Sequence, residues 1–126
     1  MKVTLHRTSA VSDGALVQIS SINVAEPFSG GVLGGVAMGC RTVEMQDTPE
    51  SPVETVEVCE VVVDGACQAT LSGSAPPEGG YLYADGARVS LTVSGERIGR
   101  LLPRGWSDLT PYSDGELVTC LICGVS

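Results

Sequence analysis

The chain has 126 residues, with 7 Lys and Arg against 15 Asp and Glu and a formal charge of -8. A chain of this length is most simply one domain that buries a core without disulfides or a metal. Its acidity argues against nucleic-acid binding, which draws its affinity from Lys and Arg neutralising phosphates.

Sixteen glycines and seven prolines fall mainly between short β-branched runs. No stretch of about ten residues carries a 3.6-residue period. The expected class is therefore all-β, a small antiparallel barrel or sandwich with meander strands. At the N-terminus, Thr4, His6 and Arg7 interrupt any apolar run after Lys2, so no signal peptide is read. No segment approaches the roughly 18 apolar residues that would cross a membrane. The expectation is a soluble product of a reducing cytoplasm, and its five cysteines fit free, mostly buried thiols better than a disulfide framework.

Lys2 to Val11 and Ala15 to Ile22 flank Asp13-Gly14, which predicts a first hairpin. The alternation there is weak, and residues 1–24 read equally as an arm that orders on a partner. Residues 25–126 then form the barrel core. After the break from Pro27 to Gly31, GGVLGGVAMGC reads as a strand with a bulge or a closely approached backbone. It is not a phosphate loop, because no Gly-Lys-Ser/Thr and no helix follow it.

Gln46 to Pro52 is a polar loop expected at an exposed tip, and Val53 to Val63 is the longest β-branched segment. Val56 and Val58 share one parity and Val61 and Val63 the other, which predicts a one-residue bulge near Cys59-Glu60. Asp64-Gly65 predicts a hairpin joining this strand to Ala66 to Leu71, although ACQAT could also form a helical turn. Ser72 to Gly80 is a loop.

From Gly79 to Gly105, a meander is expected: Tyr81 to Ala84, a central strand with Val89, Leu91 and Val93 on its buried side, and Arg97 to Leu102. Asp85-Gly86 and Ser94-Gly95 supply its two turns. A long connection with Trp106 and Tyr112 leads to a closing strand from Leu117 to Ile122.

Few residues suggest chemistry. Cys120 and Cys123 have the spacing of a metal or redox pair, but within a strand they face opposite sides, and no second pair of that spacing exists. His6 is the only histidine, near a terminus, and is poorly placed to serve a catalytic triad. Glu57 and Glu60 read as solvated acids on a wet strand face. Neither a catalytic set nor a cofactor is expected.

Charge is uneven: seven of the fifteen acids lie between Glu44 and Asp64, and four of the seven basic residues lie between Arg88 and Arg104. The acidic stretch reads either as a solvated face or as a patch for a basic partner. Arg100, Arg104, Trp106 and Tyr112 are the interface candidates, since Trp, Tyr and Arg most often anchor contacts. Trp106 could instead pack over the end of the barrel.

The order GGVLGGVAM, VETVEVCEVVVDGA, GGYLYADGARVSLTVSGERIGRLLPRG and SDGELVTCLICG, over roughly residues 30–124, resembles the capsid cement, or decoration, proteins of tailed bacteriophages. The resemblance implies a non-enzymatic β-barrel-like virion protein, made in the host bacterial cytoplasm, that binds the outside of the head shell. Its partner would be the major capsid protein, and the protein would itself be a homo-oligomer, a trimer or a dimer. The five cysteines, the Trp106 loop and the N-terminal extension depart from the family pattern. The alternatives are a tail or baseplate structural protein and, from another class, a small metal-binding or thiol-redox protein using Cys120 and Cys123.

Overall fold

The computed structural model describes residues 1–123, the side chain of Ser21 apart. Ten strands are present and no helix among the described residues: β1 (Lys2–Arg7), β2 (Leu16–Ser21), β3 (Val24–Pro27), β4 (Leu33–Met45), β5 (Glu54–Val62), β6 (Gly65–Thr70), β7 (Gly80–Asp85), β8 (Arg88–Ser90), β9 (Gly99–Leu101) and β10 (Leu117–Ile122). The first five close into a barrel in the order β1-β3-β2-β4-β5, and the rest form a sheet in the order β6-β10-β9-β7-β8. The all-β class expected from composition is what the structure shows.

Two cores share a wall. Val11, Val17, Ala25, Ala37, Cys59 and Val61 fill the barrel. Leu16 and Val36 instead turn outward from β2 and β4 and pack with Leu71, Leu82, Val89, Leu101, Val118 and Ile122 on the inner face of the sheet. Because successive side chains of a strand point to opposite faces, a wall between two cores must be apolar at both parities. The runs Ala15-Leu16-Val17 and Val36-Ala37 meet that demand.

The same principle corrects the reading of β5. The strand holds an unbroken register with β1 from Lys2↔Val62 to His6↔Val58, so it carries no bulge. Cys59 and Val61 face the barrel interior, and Val62 is buried on the other face. The irregularity lies across the ladder in β4, where the register shifts between Met38 and Arg41 and sets Gly39 and Cys40 opposite Cys59. Close backbone approach in the glycine-rich strand is real: a Cβ on Gly35 (φ 148) would lie 2.3 Å from the Val62 carbonyl oxygen.

Three expected pairings differ. The hairpin at Asp13-Gly14 does not form, and residues 2–7 are not a free arm: β1 pairs antiparallel with β5 and parallel with β3. The Gly14 amide donates to Ala37 O (2.8 Å) and its carbonyl accepts from Thr70 N (2.9 Å), so this turn joins barrel to sheet. Asp64-Gly65 is likewise no hairpin. Both edges of β5 are occupied by β1 and β4, leaving β6 no free ladder, and it pairs instead with β10.

The predicted meander holds only at its first turn, where β7 pairs with β8 around Gly86 and Ala87. Beyond Ser90 the chain bends, with Thr92 N donating to Ser90 Oγ (3.0 Å), and Val93 is 74% exposed, so no burial sustains the strand. The chain then crosses over, and β9 pairs with the other edge of β7.

Candidate interaction surface

A clasp at the end of the sheet holds the Trp106 loop. The Arg104 guanidinium donates to the carbonyl oxygens of Thr110 (2.8 Å) and Pro111 (3.3 Å) and to the Glu116 carboxylate (2.8 and 3.0 Å). It also stacks 4.1 Å over the Tyr112 ring. Tyr112 is 5% exposed and its hydroxyl donates to Leu102 O (2.6 Å), so the structure places it in the core and not at a surface. Asp108 closes the loop from within by accepting from Thr110 N (3.0 Å). This amide holds the Asp108 carboxyl below its ordinary value, and the Ser113 amide, with Arg104, does the same for Glu116.

Every anchor of the clasp points inward, and the tip points out. Trp106 is 95% exposed and Leu109 77%. Gly105, just before the indole, holds a positive φ of 135 that favours glycine. A large apolar side chain kept in water on a loop fixed at its base gains nothing for folding and is suited to burial against a partner.

Arg100 lies apart from the clasp, on the outer face of the sheet. In register it stands between Tyr81 of β7 and Leu121 of β10. Tyr81 is 56% exposed and carries the Arg97 guanidinium 4.4 Å from its ring centroid. Among the described residues Arg100 has no carboxylate partner. A shallow cleft lined by Glu78, Tyr81, Arg100 and Pro103 connects this row to the start of the clasp. The four residues singled out from sequence therefore have three roles: Trp106 and Arg100 are available for contact, Arg104 braces the loop, and Tyr112 supports Arg104. Tyr81, Arg97 and Leu121 were missed. Their signal was parity, since each alternates with a residue that faces the core.

The acidic stretch forms a second exposed feature. Arg41–Met45 of β4 pairs with Glu54–Val58 of β5 beyond the reach of the β2 ladder, and β1 meets this segment only at Val58, making a two-stranded ribbon. Its base is tied by Arg7, which donates to the carbonyl oxygens of Val58 (3.0 Å), Val11 (3.2 Å) and Arg41 (3.4 Å) and lies 3.8 Å from Glu57. Glu44, Asp47, Glu50 and Glu54 are exposed along it.

The structure does not bring Cys120 and Cys123 to one site. Cys120 is buried within β10, and Cys123, just past the end of that strand, is exposed. Among the described residues no group of three His, Cys, Asp or Glu is placed to hold an ion. Cys120 instead faces Cys67 across the ladder, and Cys40 lies opposite Cys59 at the bulge. Burial, with Asp13 beside it, pushes the Cys40 thiol up to about 12. His6 is exposed on β1 opposite Val58.

No family model, no characterised protein and no solved structure matches the chain.

Proposed function

We propose that this protein is a non-enzymatic virion component that binds the outer surface of a tailed-phage capsid shell and stabilises the head. Its partner is the major capsid protein, and it acts as a symmetric homo-oligomer, a trimer. The observation that carries the contact role in this reading is the Trp106 loop: a 95% exposed indole on a segment clamped from below by Arg104, Tyr112 and Glu116. The order of β motifs over residues 30–124 supports the same destination, as does the Tyr81-Arg100-Leu121 row.

The physics of such a role is simple. A shell under outward pressure fails when its subunits separate, and a protein that bridges several subunits adds free energy that must be lost first. Modest contacts suffice if each oligomer engages several sites together, since linkage raises effective concentration.

The test is co-sedimentation of purified protein with matching heads assembled without it. Saturable binding, with added resistance of the heads to heat, is expected. Failure to bind intact heads removes the reading, and binding to tails alone, seen by electron microscopy of labelled particles, would replace it with a tail role.

A further inference from the structure

The β6–β10 ladder runs without a slip from Leu117↔Thr70 to Ile122↔Gly65 and sets Cys67 directly across from Cys120. Their sulfurs are 3.7 Å apart. Leu71 N donates to Glu116 O just beyond the ladder, and counting back by twos makes Cys67 and Cys120 a hydrogen-bonded pair. Such pairs keep their Cα atoms about 5.5 Å apart, inside the span a disulfide bridges.

The two thiols differ in access. Cys67 is half-buried on an edge strand and opens onto the cleft between barrel and sheet, beside Met38, Asp64 and Gln68. Cys120 is wholly buried in the core behind it. One sulfur can be reached by a small oxidant, and the other can be reached only by the first.

From this geometry we infer that Cys67 and Cys120 are a reversible thiol–disulfide site, with Cys67 the attacking sulfur and Cys120 the resolving one. The co-reactant is a small disulfide such as oxidised glutathione. The Cys67 thiolate attacks one sulfur of the oxidant, breaking its S–S bond and releasing one glutathione thiolate, which takes up a proton. Cys120 then attacks Cys67 Sγ, its proton passing to the departing glutathione sulfur, so the second glutathione leaves as the thiol. Two electrons and two protons pass from the protein to two molecules of glutathione. The hydrogen bond from Cys120 holds the Cys67 thiol below its ordinary value, which favours the first step.

The bridge would fasten edge strand β6 to β10. Cys67 opens onto the cleft, so a bridge there stays within reach of a reducing thiol. The site would be open in a reducing cytoplasm and closed outside it. Cys40 and Cys59, set opposite one another at the irregularity in β4, are the other two thiols that a bridge could join and serve as the internal control for the mapping.

The experiment uses full-length protein carrying Cys123→Ser, to remove the exposed thiol, incubated with oxidised glutathione and mapped by mass spectrometry without reduction. The expected result is a loss of ~2 Da, a linked peptide pair containing Cys67 and Cys120, and a melting temperature raised by ~5–15 °C and restored by dithiothreitol. Adding Cys120→Ser should leave a stable glutathione adduct on Cys67. A folded protein that gains no bridge, a bridge joining Cys40 to Cys59, or an adduct on Cys67 that persists with Cys120 intact would each overturn the inference. Capsid binding plays no part in the assay, so its outcome is independent of the proposed function.

Discussion

Trp106→Ala separates a contact role from a folding role. The indole is 95% exposed in the isolated chain, so its removal takes away almost no buried surface. Exposed substitutions of this kind change stability by up to ~0.5 kcal/mol. With an unfolding entropy of ~2.1 cal/mol/K per residue over 126 residues, that is a shift in melting temperature of up to ~2 °C. Binding should behave differently. A Trp covers ~150–250 Å², which at ~25 cal/mol/Å² is ~4–6 kcal/mol as an upper limit. Truncated aromatic anchors typically lose ~2 kcal/mol or more, or ~30-fold in Kd. The assay pairs a binding isotherm on heads lacking the protein with a thermal melt followed by circular dichroism. An unchanged Kd, or a fall in melting temperature beyond ~8 °C, would refute the reasoning, the second because it would place the indole in the core.

Tyr112→Phe removes the donor to the Leu102 carbonyl and should cost ~1–1.5 kcal/mol, read as a lower urea midpoint with unchanged slope; no change would mean that this hydrogen bond contributes nothing net. Gly35→Ala drives a Cβ to 2.3 Å from Val62 O and 2.8 Å from Val61 Cγ1 at a positive φ. A loss of ~3 kcal/mol or more, or failure to fold, is expected, and a melt within ~4 °C of the parent would show that the barrel wall relaxes more readily than its packing implies. Glu116 and Asp108 are both lowered, chiefly by backbone amide donors, so their contribution is complete above their ordinary values of 4.5 and 3.8 and fades as pH falls through the lower folded values. Proteolysis between Arg104 and Glu116 should therefore rise at acidic pH and stay flat from pH 5 to 8, whereas a loop equally resistant at acidic pH would mean these carboxylates do not hold it.

The all-β class and the closing strand were legible because they rest on local signals: glycine and proline punctuation and period-2 alternation. The strand Leu117–Ile122 has the bounds that its sequence pattern gives. Pairing was legible only where both partners lay within one hairpin, as at Gly86. Asp64-Gly65 carries the same local signal as Asp85-Gly86 and yet does not pair its flanks, because the edges of β5 were already filled by strands distant in sequence. The β2–β3 turn at Ile22-Asn23 was missed for the opposite reason. It has no glycine, and Asn23 adopts the positive φ (58) itself. At the surface, Trp106 was visible as a lone aromatic in a loop. That Tyr112 belongs in the core required the fold, since the bridge to Ala75 and the hydrogen bond to Leu102 O bring that segment against the sheet.

Exposed charge is unevenly spread. Glu44, Asp47, Glu50 and Glu54 sit on a ribbon beyond the barrel, tied down by Arg7 at its base, while Arg97 and Arg100 sit with Tyr81 and Leu121 on the outer sheet face. A charge of -8 is thus not a uniform shell. Exposed charges on flexible surroundings are well solvated and act mainly on the rate and salt dependence of encounter, whereas desolvated aromatic and guanidinium groups govern how slowly a complex comes apart. On the proposed reading the ribbon would orient the approach and the Trp106 loop would hold the complex. The barrel can then keep its two-sided apolar wall for folding alone, because neither contact element draws its side chains from that wall.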